Sequence, residues 1–140
     1  MLNIIKEAMR KREGQRLLLE FHDEVCRNWE AYYVMFQLGK LRAFELAVWK
    51  KIKSDAHLPI DGRIRTSLEI LEDYNIAFDD FKKYEQWYSA DIDRKTRENS
   101  LVLHEKREAA NAKFQPLEAV VKTAREVLEQ QLHAQKILKN

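Results

Sequence analysis

Two side chains with chemistry of their own, His22 and Cys26, stand four residues apart. On a helix that spacing puts both on one side, where an imidazole can act as base to a thiol nucleophile or the pair can begin a metal site. Either chemistry needs more. Zinc takes three or four ligands, and a thiol nucleophile needs a base that a third group orients. The nearby acids Asp23 and Glu30 complete neither pattern. The pair therefore reads as a small buried thiol beside a histidine at the edge of a helical seam, because free cysteine is among the most buried residue types. No catalytic residue, metal or cofactor is assigned, and the expectation is a protein that is not an enzyme.

The remaining histidines, His57, His104 and His133, are scattered. Glu129 with His133, and His104 with Glu108, have the four-residue spacing of pairs on solvated helix faces. Di-iron bundles use Glu-x-x-His, and here the residue three before each histidine is Leu19, Ser54, Leu101 or Gln130. A phosphate-cradling glycine loop and a Gly-flanked serine nucleophile are missing too.

The helix that positions His22 and Cys26 is the organising stretch of the chain. Leu18, His22, Val25, Trp29, Tyr32 and Phe36 recur at alternating spacings of four and three, which makes one aromatic-rich stripe that must be buried. Ile4 and Ala8 extend it backwards, so the helix is expected from about Leu2 or Asn3, with Gly14 as a weak point inside it. After Phe36 the stripe changes phase near Gly39, where a bend, a tight turn or a stutter are all open. The segment from Ser54 to Gly62 is a clear break, since Pro59 disfavours helix at Leu58 and Asp61 is a good N-cap. Thr66 and Glu69 match a capping box and offer a later start.

The next helix carries Ile64, Leu68, Leu71, Tyr74, Phe78, Phe81, Tyr88 and Ile92 along one side. Alternating charges without Gly or Pro predict that helix persists from Ser89 to Ser100. Leu101, Val102 and Leu103 restore the apolar signal, and Pro116 ends or kinks the helix they open. A narrow stripe of Leu117, Val121, Ala124, Leu128, Gln131 and Leu138 then resembles a coiled-coil seam. The fold class is all-α: three or four helices in a single domain over residues 1–140. A long antiparallel, coiled-coil-like hairpin of Asn3–Ser54 with Asp61–Lys113 is joined by a C-terminal helix.

Composition agrees with this and narrows the function. Hydrophobic residues make up 45% and charged residues 34%, with only three Gly and two Pro, which suits long helices with a large solvated surface and not many short strands. One cysteine excludes an internal disulfide and fits a reducing compartment, so a cytoplasmic protein is expected. No apolar run reaches a membrane span. Lys6, Arg10, Lys11, Arg12 and Arg16 opposite Ile4, Ile5, Ala8 and Met9 resemble a basic surface-seeking helix, weakened by Glu7 and Glu13.

Trp29, Tyr32, Tyr33, Phe36, Phe44 and Trp49 occupy more than one helix face, more than a lone hairpin can cover. They are therefore the candidate anchors for protein partners in an assembly or adaptor module that forms a homo-oligomer, a dimer first of all. The formal net charge of +2 implies no nucleic acid by itself. An alternative rests on the basic cluster Lys40, Arg42, Lys50, Lys51, Lys53, Arg63 and Arg65 around Trp49, read as phosphate contacts beside a stacking ring. The acidic run that opens at Glu69 counts against it and suits docking onto a basic surface of the same chain or a neighbour.

Overall fold

The computed structural model describes residues 2–55 and 57–138. The regular structure is all helical, with α1 (Leu2–Leu38), α2 (Ala47–Lys53), α3 (Gly62–Ser89), a 3-10 turn at Ile92–Arg94, α4 (Arg97–Phe114) and α5 (Leu117–Ala134), and no strand among the described residues. The all-α class, a long antiparallel hairpin and a C-terminal helix are present, but there are five helices where three or four were expected, and the hairpin is not the expected one of Asn3–Ser54 with Asp61–Lys113. Their pairing is more particular than the sequence implied.

Helix α5 lies at the centre. Its Leu117, Val121, Ala124, Leu128 and Leu132 are buried, so the narrow stripe expected as a coiled-coil seam is the middle of this chain's own core. Both α1 and α3 run antiparallel to it. Tyr32 of α1 stacks on Phe114 at 5.1 Å while the earlier His22 meets Glu129, and Gln131 bonds to Asp61 at the start of α3 while Tyr74 lies near Phe114. α1 and α3 are thus parallel to each other, and the long antiparallel hairpin is α3 with α4, continued past Pro116 by α5.

The chain ends α1 at Gly39, whose φ of 65° and N–H to the Met35 carbonyl (2.9 Å) make a left-handed stop. Residues 40–46 then return extended, and α2 packs on α1 and α3. The extended segment has no strand to pair with, so side chains serve its backbone. Asn28 accepts from the Glu45 N–H and donates to the Glu45 carbonyl, at 2.9 and 2.8 Å. Asn75 of α3 does the same for Phe44, at 2.9 Å both ways. Glu24, 1% exposed, takes the Val48 and Trp49 N–H groups on its two oxygens and so caps α2 from outside the helix. Trp49, wholly buried, stacks on Phe21 at 5.9 Å and donates its indole N–H to Glu72.

These clamps shift the core face of α1 from the one read in the sequence. The buried set is Leu18, Phe21, Glu24, Val25, Asn28, Ala31, Tyr32 and Met35, not Leu18, His22, Val25, Trp29, Tyr32 and Phe36. His22 and Trp29 are half-buried and Phe36 is 65% exposed. Asn28 in the stripe, with Glu24 beside it, looks solvent-facing until the partner backbone is known.

Between Ser89 and Ser100 the expected helix is broken. The Asp91 carboxylate accepts from the Asp93 N–H, Thr96 caps α4 by accepting from Asn99, and the Asn99 amide donates to the Arg94 carbonyl. Such local bonds offer the backbone an alternative to helix. At the other boundaries Asp61 caps α3 from its first residue, ahead of the Thr66 start, and Pro116 separates α4 from α5.

Two parts project from the core. Past Tyr74 only Phe81 on α3 and Ala110 on α4 are buried, and that end of the hairpin is held by cations over rings, with Arg107 on Phe81 and Lys106 on Tyr84. At the opposite end residues 2–13 of α1 are exposed throughout.

Candidate functional site

The reversal of direction between α1 and α5 brings together three groups that the sequence keeps far apart. His22 and Cys26 lie one turn apart beside the buried face of α1. Glu129, next to the buried Leu128 on α5, faces them across the helix interface. The Glu129 Oε1 atom is 3.2 Å from His22 Nε2, and Cys26 Sγ is 3.6 Å from that same nitrogen. Arg125 donates its Nε–H to Glu129 Oε1 at 2.9 Å and lays its guanidinium over the Trp29 ring at 5.2 Å.

Burial pushes the Glu129 carboxyl up, but the hydrogen bonds and charges of Arg125 and His22 outweigh it and hold the group below the usual carboxylate range. Burial pushes the Cys26 thiol up, against the lowering charge of Arg125. A raised thiol is a poor nucleophile. The geometry agrees, since thiol and carboxylate both meet Nε2 and leave Nδ1 without an orienting group, unlike a nucleophile, base and orienter in series. The cluster suits coordination better: its three donor atoms lie within 4.8 Å of one another.

Glu129 is the residue that the sequence reading missed. Its local signals are the four-residue spacings to Arg125 and to the exposed His133, which read as pairs on a solvated face. The signal that would have found it is the antiparallel packing of α1 on α5, which no motif encodes.

The ring candidates divide. Tyr32, Phe44 and Trp49 are 4%, 4% and 0% exposed and belong to the core. Trp29 and Tyr33 are half-buried, 5.3 Å apart. Phe36 alone of the six is largely in water. Tyr32 faces a third element of the same chain, Phe114, so part of the aromatic surplus is covered internally.

The basic candidates are all exposed but do not surround a stacking ring. Trp49 is sealed beneath the Arg65 guanidinium at 5.6 Å, Lys53 pairs with Glu72 at 2.9 Å, and Arg63 with its own cap Asp61 at 3.0 Å. Lys50 and Lys51 share the α2 end with them, while Lys40 and Arg42 sit by the Gly39 turn.

The other conspicuous surface is the projecting start of α1. Leu2, Ile4, Ile5 and Met9 are 75%, 70%, 55% and 57% exposed. At about 100° per residue, Ile4, Ile5, Ala8 and Met9 lie on roughly the opposite side of α1 from Phe21, Val25 and Tyr32, so they are no continuation of the core stripe. On α3, Glu69, Asp73, Ile76 and Asp80 follow one another at spacings of four, three and four, all exposed, with Ile76 at 69%.

Comparison of the chain with protein-family models, with curated proteins and with solved structures finds no match in any of the three. No helix among the described residues is long and apolar enough to cross a membrane.

Proposed function

We propose that the chain is a non-enzymatic helical assembly module that binds a second copy of itself through the projecting start of α1. The observation that carries this reading is the row of four aliphatic side chains, Leu2, Ile4, Ile5 and Met9, held in water on a helix that turns them away from its own core. Burying a side chain of this size is worth roughly 1.5–3 kcal/mol, so two reciprocal arms offer enough to offset the entropy of association.

Charge selects the surface that receives the arm. The stretch from Leu2 to Arg16 carries five basic residues against two acids. The exposed side of α3 supplies Glu69 and Asp73 beside Ile76, an apolar spot with an acidic border, while Asp80 on the same side is already paired with Lys106 at 2.7 Å. Steering and register then come from the charges, and affinity from the aliphatic contacts. A reducing compartment such as the cytoplasm fits the free thiol.

Light scattering on the full chain tests this. A dimer mass at low salt that falls toward the monomer in high salt, and in Ile5→Glu and Ile76→Glu alike, is the expected result. A monomer at every concentration overturns it. In that case retention of the monomer on anionic vesicles would give the arm to lipid. Salt-sensitive duplex binding lost on Lys50→Glu with Lys51→Glu would instead favour nucleic acid.

A further inference from the structure

We propose that His22, Cys26 and Glu129 form a Zn(II) site that fastens α1 to α5. Bond lengths of about 2.3 Å to sulfur and about 2.0 Å to nitrogen or oxygen, in a tetrahedron, put a sulfur and a nitrogen ligand about 3.5 Å apart and a nitrogen and an oxygen about 3.3 Å apart. The corresponding separations here are 3.6 Å for Cys26 Sγ to His22 Nε2 and 3.2 Å for His22 Nε2 to Glu129 Oε1. The third edge, thiol to carboxylate, lies within 4.8 Å, against about 3.5 Å in the tetrahedron.

The donor set selects the metal. Thiolate and imidazole are poor ligands for calcium or magnesium, which take oxygen, whereas one sulfur, one nitrogen and one carboxylate oxygen suit zinc. Two ligands one turn apart on α1 and a third from the facing helix are held by elements that the core already fixes. The site is accessible, with His22 and Glu129 side chains 18% and 34% exposed, so an ion can enter and a water can take the fourth position. Arg125, already bonded to Glu129 Oε1, becomes the outer partner that orients the ligating carboxylate.

Binding exchanges the Cys26 S–H bond for a sulfur–zinc bond and releases that proton to solvent. Affinity therefore rises with pH. Sulfur is neither oxidised nor reduced.

The experiment uses the full chain freed of metal, titrated with zinc chloride by calorimetry, with alkylation of the thiol followed in parallel. Cys26 is the only cysteine in the sequence, so alkylation reports this site alone. The expected result is one zinc per chain and alkylation slowed about tenfold or more by a stoichiometric amount. Cys26→Ser and Glu129→Gln should each weaken zinc about tenfold or more, and cobalt(II) in place of zinc should give a thiolate charge-transfer absorption that Cys26→Ser removes. Undiminished zinc binding in Cys26→Ser, or alkylation of the wild type at the same rate with and without zinc, overturns the site. If Cys26→Ser does not fold, Glu129→Gln decides, because its side chain lies at the solvent edge.

Discussion

Along α1, the stretch from Leu18 to Met35 encloses a glutamate and an asparagine, whereas the stretch from Leu2 to Met9 leaves four aliphatic side chains in water. One helix thus holds two inversions of the usual burial rule. The inward polar groups are satisfied, because Asn28 stands in for the strand partner that Glu45 lacks and Glu24 caps the start of α2. The outward apolar groups are left in water by the described residues. A buried polar residue here marks internal construction, and an exposed apolar row marks something still to be met.

The comparison predicts opposite sensitivities. The largest effect is expected at Phe21→Ala, which empties space against Trp49 in the inner half and should lower the unfolding free energy by about 3–5 kcal/mol. Urea denaturation measures it. A loss below about 1 kcal/mol would mean that the α1–α2 contact is not part of the cooperative core.

Asn28→Ala comes next. It strands the Glu45 N–H and carbonyl together, so a loss of about 2–3 kcal/mol is expected, against almost none for a substitution at exposed Asp23. Equal effects at the two positions would remove the distinction between satisfied and solvated polar groups on this helix.

Glu24 sharpens the same point through pH. Desolvation by burial raises its carboxyl above the ordinary 4.5, although the Val48 and Trp49 N–H groups pull it down. The folded state therefore holds this proton more tightly than the unfolded chain does. That contribution to stability is complete below the ordinary value and is lost as pH rises through the folded one. Glu72 and Glu129 are shifted the other way by their cationic and hydrogen-bonding partners, and their contributions are lost only as pH falls below 4.5. The windows are separate. Glu24→Gln should thus flatten the decline in urea midpoint above 4.5 while leaving the acid limb in place, and a decline unchanged by the substitution would refute the assignment.

The same residues show how far the molecule is legible in its sequence. Helix class, the Pro59 and Pro116 breaks and the Asp61 cap are local signals, and they appear where expected. The core face of α1 is displaced by one residue at every second position of the expected stripe. Hydrophobic periodicity treats Asn28 as solvent-facing, and only its bonds to a segment 17 residues away explain its burial. The break after Ser89 is hidden because Asp91 and Thr96 open a new turn and a new helix with side-chain bonds, and Asn99 reaches back to the Arg94 carbonyl, all without Gly or Pro. The candidate metal cluster is half legible: His22 and Cys26 share a helix, but Glu129 is 107 positions distant from His22 and joins them only through packing.

At the outer half the expected effects are small for the fold and large for assembly. Ile5→Glu should change unfolding free energy by less than about 0.5 kcal/mol while abolishing the salt-sensitive dimer. A destabilised monomer would show that the arm is packed in solution after all.

The smallest effect is expected at the boundary between the halves. Gly14 is helical, and alanine there should gain about 1 kcal/mol of helix propensity. Its added methyl would stand 3.1 Å from Leu58 Cδ2, close enough that one of them must move by a few tenths of an ångström. Leu58 offers the end of a flexible, half-buried side chain on a loop, so it can yield, and part of the gain survives. Gly14→Ala is therefore expected to stabilise the chain by a few tenths of a kcal/mol in thermal or urea unfolding. A net loss would mean that the Leu58 contact is rigid, and the enclosed part of α1 would then begin at Gly14, a full turn before Leu18.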